Sequence, residues 1–398
     1  MSPKKYKILI CDDEERHMRK WQDDLERVPS INKKFRVDHV ESPEQFRNQL
    51  RILERRREAA RDGRPPIKED DSIFDDAAIL IVDYDLLRIK ADNLITGESV
   101  AYMARCYSRC KVIVALNQFG DNTFDLTLKG HPDSYADLNV GGRQISSRGL
   151  WEDSAGEFRP WAWPWLPDAI NAFEERVQEL KGNLNESILD FLGFPPEVIK
   201  TLPRTALGFI AADGEQPEEA TFKNFLRTSG NGLRGKDVVW REEGTEERIV
   251  AARIAKWLER LVLPGQDILV DAPHLAARFP SLLKKASRLE DWNKTASRGG
   301  VKKLGIKHEM IESYRFKDNW LSRPAWFWRR LESLQDIHEV ARPWEIKSKD
   351  FVFCEDTSEF APLEESKEFV ADLPSPFVRR HVKHVMGVDY RPAVRFSM

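Results

Sequence analysis

The sequence contains little cysteine, four residues among 398. Cys11, Cys106, Cys110 and Cys354 follow neither the spacing of a disulfide framework nor that of a zinc site. Cys106 and Cys110 lie four positions apart in a helix-like stretch, so their thiols could share one face. Nothing nearby completes a set of four metal ligands. The cysteines are therefore expected to have structural roles.

Long apolar runs are also missing. Near the start of the chain only residues 8–11 form an apolar run, which is too short for the core of a signal peptide. No stretch approaches the roughly 18 uninterrupted apolar residues of a membrane span. We therefore expect a cytoplasmic protein that does not contact a membrane. The net charge of -3 argues against a uniformly basic nucleic-acid binder, but it leaves local basic patches open.

The composition is typical of a folded protein with more than one domain. Hydrophobic residues make up 41% and charged residues 32% of the chain, which excludes a disordered protein. A length of 398 residues exceeds one ordinary hydrophobic core and predicts two or three domains. The 12 tryptophans lie mostly beyond residue 150 and indicate large cores or interfaces in the second half.

Strand and helix patterns alternate in the first half of the chain. Residues 6–11, 77–82 and 111–116 are apolar runs of the kind found in strands buried on both faces of a parallel sheet. Residues 36–40 alternate as a further strand, and residues 98–109 have the pattern of a helix. The alternation predicts an α/β fold with a doubly wound parallel sheet.

A helix at 167–182, which ends at a glycine, closes the first predicted domain. We therefore place the first domain at 1–182, with insertions near 55–75 and 119–160. The remaining residues, 183–398, mix helical and strand-like stretches and predict an α+β domain of unknown fold.

Acidic residues follow two of the predicted strands. Asp12 and Asp13 come after the first strand, and Asp83 ends the third. Since ligands of an open parallel sheet bind beyond the carboxyl ends of its strands, the three carboxylates are expected to converge. They would repel one another unless a divalent cation neutralised them, and an oxygen-rich set of this kind suits Mg²⁺. One carboxylate would then remain as a nucleophile for an incoming phosphoryl group.

This arrangement resembles the receiver domain of bacterial two-component response regulators, over residues 5–118 well and 119–180 loosely. The resemblance implies a five-stranded flavodoxin-like fold in which Asp12 and Asp13 bind Mg²⁺ and Asp83 is phosphorylated. It also implies that the backbone carbonyl of Asp85 helps to bind the metal and that Gly97 is the glycine preceding the third helix. The implied partners are a histidine kinase or a phosphotransfer protein, with room for a homodimer.

The sequence departs from the family pattern in the half of the site that responds to phosphorylation. Leu87 stands where the family usually has proline. The fourth strand ends in Leu116 or Asn117 instead of a serine or threonine, although the Asn117 amide could donate a hydrogen bond. Lys129 matches the family's lysine after the fifth strand if the fourth helix is very short. If 135–142 is the fifth strand instead, no lysine occupies that place.

The second half carries a strongly basic segment at 275–330, with 14 Lys/Arg and 5 Asp/Glu, a net charge of +9. Aromatic residues are interleaved with the charges, among them Trp292, Tyr314, Phe316, Trp320, Trp326, Phe327 and Trp328. Basic residues among aromatics suit phosphate contacts with base stacking, which predicts nucleic-acid binding. The alternative is a solvated face of a helical domain whose tryptophans fill their own core.

Together these patterns predict a response regulator that accepts a phosphoryl group on Asp83 and relays the event to a C-terminal effector. Two alternatives stay open. One is a nucleic-acid-binding or nuclease effector that uses 275–330 under receiver control. The other is a pseudo-receiver that acts only as an interaction scaffold. No sequence motif decides whether the effector is an enzyme.

Overall fold

The computed structural model describes most of the chain. The described residues are 5–64, 71–86, 95–117, 134–153, 156–161, 163–211, 214–227, 242–266, 268–297, 304–307, 309, 311–331, 334, 337, 350–369 and 380–383. Among the helices within these ranges, none is long and apolar enough to cross a membrane.

Five parallel strands form the sheet of the first part of the chain. They are β1 (Tyr6–Cys11), β2 (Phe35–His39), β3 (Ala77–Asp83), β4 (Val112–Asn117) and β5 (Leu138–Gly141). Their spatial order is β2-β1-β3-β4-β5, with parallel pairing throughout. This is the strand order of flavodoxin-like doubly wound folds, and the predicted α/β architecture is confirmed.

Six α-helices of the described residues accompany this sheet. They are α1 (Glu15–Glu26), α2 (Pro29–Lys34), α3 (Pro43–Arg61), α4 (Gly97–Tyr107), α5 (Arg148–Trp151) and α6 (Leu166–Leu180). Helix α3 begins because Ser42 Oγ accepts a hydrogen bond of 3.1 Å from the Gln45 backbone N–H and Pro43 occupies the first helical position. Helix α6 matches the predicted 167–182 within two residues.

The second half of α3 carries many charged residues, but one of its faces is buried. Leu53, Arg56 and Ala60 on this part of the helix are buried. The Arg56 guanidinium is buried because it forms two hydrogen bonds to the Asp75 carboxylate, of 3.0 and 2.7 Å, and one of 2.8 Å to the Tyr107 carbonyl. The predicted insertion near 55–75 therefore begins inside the core of the domain.

The remaining described helices and strands lie beyond residue 183. The helices are α7 (Ile188–Phe191), α8 (Pro196–Ile199), α9 (Arg204–Ile210), α10 (Phe222–Arg227), α11 (Thr245–Trp257), α12 (Leu263–Gly265), α13 (Ala272–Arg278), α14 (Leu289–Ala296) and α15 (Trp328–Leu331), and a π-helical turn (Leu258–Val262) continues α11. The strands are β6 (Leu269–Asp271), β7 (Ala325–Phe327), β8 (Phe351–Cys354), β9 (Glu359–Pro362), β10 (Lys367–Phe369) and β11 (Arg380–Val382).

These strands form two small sheets. Strands β6 and β7 pair antiparallel, and a second sheet has the order β10-β11-β8-β9 with mixed pairing. Helices and short strands are thus mixed, as the α+β prediction requires.

The main hydrophobic core continues across residue 182. Phe173 and Leu180 of α6 belong to the same cluster of buried residues as Ile249 and Trp257 of α11. Helix α11 packs against both α6 and α4. The N-terminal half of the 183–398 region therefore completes the core of the parallel sheet, and the predicted boundary at 182 marks no break in packing.

Candidate metal site

The predicted acidic residues lie at the carboxyl edge of the parallel sheet. Asp12 and Asp13 follow β1, and Asp83 is the last residue of β3. Strands β1 and β3 are direct neighbours in parallel register, with Cys11 beside Val82, so their next residues meet at one edge. The strand order reverses next to β1, and the crevice at such a point is the usual ligand site of a doubly wound sheet.

The three carboxylates form one compact cluster. Each of Asp12, Asp13 and Asp83 offers an oxygen atom, and these atoms all lie within 4.8 Å of one another. The side chains are hardly accessible, since Asp12, Asp13 and Asp83 are 0%, 9% and 1% exposed. Burial, and after it the charge of Asp83, raises the pKa of Asp12 to about 8. Three ionised carboxylates are therefore unfavourable here without a compensating positive charge.

The atoms around Asp12 fit a hard cation such as Mg²⁺. Asp12 Oδ1 accepts a hydrogen bond of 2.7 Å from the Glu14 backbone N–H, which orients the carboxylate. Asp12 Oδ2 is buried and receives no hydrogen bond from the described residues. A basic side chain, His17, lies close to this oxygen, with its Nδ1 atom 3.5 Å from Asp12 Oδ2. A buried carboxylate oxygen in an all-oxygen cluster is the donor that Mg²⁺ prefers, so the residues present fit the ion.

His17 was missed at the sequence level. It lies on α1 one turn beyond the acidic pair, and its ring stacks on the Trp21 indole with the ring centroids 5.9 Å apart. A histidine five residues after Asp12 on an amphipathic helix is the only signal that could have indicated it. Trp21 in turn packs near Gly142, where an added Cβ would lie 3.5 Å from the indole nitrogen.

Gly97 has a role that the structure explains. It is the first residue of α4, and Thr96 caps the helix by accepting a hydrogen bond from the Ser99 N–H. A Cβ atom at position 97 would lie 2.5 Å from the carbonyl oxygen of Asp83 and 2.7 Å from the Cα atom of Tyr84. Only glycine permits α4 to begin this close to the backbone of Asp83.

Two further predicted site residues, Asp85 and Asn117, lie near the ends of strands β3 and β4. Asp85 is half-buried two residues beyond Asp83, and the metal-binding role of its carbonyl stays a prediction. Asn117 ends β4, where the preceding residue, Leu116, pairs with Asp83. A switch role for Asn117 also stays a prediction.

The fifth strand lies within 135–142, the later of the two positions that the sequence left open. Strand β5 spans Leu138–Gly141 and is followed by Gly142 and Arg143, so no lysine stands directly after it. Lys129 precedes this strand in sequence and lies outside the described residues, as does Leu87. The role of Lys129 as the family's lysine stays a prediction.

The basic segment 275–330 uses its aromatic residues for packing. Most of the aromatic rings named above are buried, namely Trp292, Phe316, Trp320, Trp326, Phe327 and Trp328. Tyr314 is half-buried, and the cations Arg278 and Arg323 are buried as well. These six rings cannot stack on nucleic-acid bases, which favours the interpretation that they fill their own core. Binding of a polyanion by charge alone stays a prediction.

Comparisons with known proteins add little. No protein-family model matches the chain, and the search of curated proteins found no match. A solved structure of the RcsB response regulator of Salmonella typhimurium, described for its conformational dynamism in DNA interaction, is similar at 15% identity with a TM-score of 0.23. The match covers 58% of this chain and 87% of that chain. A TM-score this low carries no argument, so the functional interpretation depends on the geometry of the site.

Proposed function

We propose that the chain is a response regulator in which Asp83 accepts a phosphoryl group with the help of Mg²⁺ held by Asp12, Asp13 and Asp83. The observation that carries the proposal is the buried cluster of three carboxylates at the carboxyl edge of β1 and β3. A structural role for such a cluster is unfavourable because like charges repel in a buried setting.

The chemistry assigned to Asp83 is a simple transfer. A carboxylate oxygen of Asp83 attacks the phosphorus atom of a phosphohistidine, an O–P bond forms and the N–P bond breaks. The leaving imidazole takes up a proton, and Asp83 becomes an acyl phosphate. Bound Mg²⁺ would supply charge neutralisation for the incoming phosphoryl oxygens. The phosphoryl donor would be a histidine kinase or a phosphotransfer protein.

The role of each neighbouring residue follows from its position. Asp12 is oriented by the Glu14 N–H, and its second oxygen, which receives no hydrogen bond from the described residues, would be offered to the cation. Asp13 adds the third carboxylate oxygen. Close packing of Gly97 against Asp83 fixes the backbone that carries the nucleophile. The carbonyl of Asp85 would complete the protein's share of the metal ligands.

Acetyl phosphate with Mg²⁺ tests the proposal directly. We expect intact-mass analysis of the full chain to show the addition of one phosphoryl group, and the addition to disappear in Asp83→Asn and in EDTA. Asp38→Asn, which changes a half-exposed aspartate on β2, is the matched control and should be modified like the wild type. Uptake that persists in Asp83→Asn would show that the acceptor is another residue.

The pseudo-receiver alternative has a specific observation in its favour. No lysine directly follows β5, and Leu116 stands beside Asp83. If Mg²⁺ binds with no phosphoryl uptake from acetyl phosphate or from a phosphorylated kinase, the site is a metal-dependent scaffold. Analytical ultracentrifugation with and without beryllofluoride would show at the same time whether the predicted homodimer forms.

A further inference from the structure

Helix α11 of the C-terminal region is attached to the segment that leads into β5. The Lys256 ammonium donates hydrogen bonds of 2.9 Å to the Ser134 carbonyl and 2.5 Å to the Ala136 carbonyl. Both Lys256 and Arg253, one turn earlier, are buried, and the Arg253 guanidinium lies 4.7 Å from the centroid of the Tyr135 ring. Since a buried ammonium must keep its acceptors, α11 is bound to the positions of these carbonyls.

Glu98 connects the same segment to the acidic site. Its Oε1 accepts a hydrogen bond of 2.5 Å from the Tyr135 backbone N–H. Its Oε2 accepts hydrogen bonds of 2.7 Å from Ser134 Oγ and 3.2 Å from Tyr84 Oη. The carboxylate thus takes three donors, two from the segment before β5 and one from the residue that follows Asp83. Hydrogen bonds to a charged group are the stronger ones, so these three groups are held together.

The start of α4 is in contact with the backbone at Asp83. Gly97, next to Glu98, donates a backbone hydrogen bond of 3.1 Å to the Tyr84 carbonyl. Because position 97 has no space for a Cβ atom against the Asp83 carbonyl, the two backbones are in direct contact. A shift of the backbone at Asp83 therefore moves Gly97, and Glu98 moves with it.

We propose that occupation of the acidic cluster is transmitted to α11 through Tyr84, Glu98 and the backbone of 134–136, so that the C-terminal region senses the state of Asp83. This inference rests on the proposed function and names its regulation. The connection is continuous, from Asp83 to its neighbour Tyr84, through the Glu98 carboxylate to Ser134 and Tyr135, and from the adjacent carbonyls to Lys256. Coupling of this kind is reciprocal, so a change at Lys256 must alter affinity at the cluster by the same factor.

Two measurements on the full chain, with beryllofluoride and Mg²⁺ as the probe, separate binding from transmission. Fluorine NMR reports whether beryllofluoride binds the cluster. Hydrogen exchange of the backbone amides of α11 reports whether the C-terminal region responds. In the wild type we expect binding, together with a change in α11 exchange rates of about fivefold or more, the lower end of typical coupling between sites.

The test variant is Tyr84→Phe, which removes only the hydroxyl that reaches Glu98. We expect it to bind beryllofluoride and to lose the response of α11. Tyr102→Phe is the matched control, because Tyr102 lies on α4 and its ring packs on Tyr135 without a hydrogen bond to Glu98. Glu98→Gln serves as a second test, since it keeps the shape of the side chain and removes its charge.

Each outcome decides between the two proposals. Bound beryllofluoride with unchanged exchange of α11 in the wild type overturns the coupling and leaves the phosphoryl site intact. A response in Tyr84→Phe and Glu98→Gln equal to that of the wild type overturns the pathway through Glu98. Absence of bound beryllofluoride in the wild type overturns the proposed function and the coupling together.

Reciprocity of the coupling gives one more test. Lys256→Met should change the beryllofluoride affinity by about fivefold or more, whereas an unchanged affinity contradicts the coupling.

Discussion

Gly97 and Asp83 are in backbone contact: a Cβ atom at position 97 would lie 2.5 Å from the Asp83 carbonyl oxygen. We therefore expect Gly97→Ala to destabilise the chain by about 1–3 kcal/mol, the usual cost of overpacking. The shift forced on Asp83 should also weaken Mg²⁺ binding. Urea unfolding and a Mg²⁺ titration followed by tryptophan fluorescence measure the two effects.

Gly208→Ala is the control for this substitution. Gly208 lies within α9, and an added Cβ there would meet no atom within 4 Å. Alanine is the better helix former by roughly 0.5–1 kcal/mol, so this variant should be as stable as the wild type or more so. Equal stabilities of the two variants would contradict the close packing at position 97.

Asp75 is expected to be essential for stability, although it lies outside the candidate site. Its carboxylate accepts two hydrogen bonds from Arg56 and further ones from the Ser72 and Arg109 backbone N–H groups. Asp75→Asn leaves the buried Arg56 guanidinium without its counter-charge, which typically costs about 3–5 kcal/mol. Denaturant unfolding of the full chain measures the loss.

The control for Asp75→Asn is an exposed ion pair of the same kind. Glu15 and Arg19 pair on α1 with side chains that are 50% and 68% exposed. Glu15→Gln should change stability by no more than about 0.5 kcal/mol, because water screens exposed pairs. If Asp75→Asn is equally mild, Arg56 finds water or another acceptor.

The parallel sheet and its acidic edge could be predicted because both depend on short stretches of sequence. The run 77–82 is buried at every position, and each acid directly follows a strand. The fifth strand could not be chosen in the same way. Residues 138–141 form a short strand with an alternating burial pattern, and its pairing with β4, Val114 beside Leu138, is a contact between distant parts of the chain.

Contacts between distant residues also explain which buried charged residues sequence reasoning missed. Arg56 lies in a heavily charged stretch of sequence, but its partner Asp75, 19 residues away, makes it a core residue. Lys256 binds a carbonyl 120 residues earlier in the chain. Local periodicity reports which face of a helix is apolar, but it does not report which buried polar groups will meet.

Asp12 should destabilise the metal-free protein and stabilise the metal-bound one. Burial and the charge of Asp83 raise the pKa of Asp12, so its ionised form is unfavourable without a cation. In EDTA at about pH 5, roughly one unit above the ordinary pKa of 3.8, Asp12→Asn should therefore be more stable than the wild type by about 1.4 kcal/mol, the equivalent of one pKa unit. Thermal unfolding in EDTA measures this difference.

Added Mg²⁺ should reverse the order of the two proteins. At about 100 times the dissociation constant the wild type gains about 2.7 kcal/mol, while Asp12→Asn gains little because a ligand is missing. Equal gains from Mg²⁺ in both proteins would place the ion elsewhere. A large loss of stability for Asp12→Asn in EDTA would instead indicate that the Glu14 hydrogen bond makes Asp12 a structural residue.

Because Lys256 is buried, we expect the stability of the protein to depend on pH. Burial, reinforced by the charges of Arg253 and Arg260, lowers its pKa from 10.5 to about 7. Between these two values the unfolded chain binds a proton that the folded chain lacks, so the free energy of unfolding should rise as the pH rises from about 7 towards 10.5. The slope attributable to one such group is at most about 1.4 kcal/mol per pH unit.

Substitution by methionine isolates this contribution. Lys256→Met keeps the length of the side chain and removes the titrating group, so the difference in unfolding free energy between wild type and variant should grow in favour of the wild type from pH 7 to 10. Lys200→Met removes an exposed ammonium at the end of α8 and should show no such trend. Urea unfolding at a series of pH values gives the comparison. Parallel pH curves for wild type and Lys256→Met would mean that Lys256 keeps its proton, and that Ser134 and Ala136 accept from a fully charged ammonium throughout.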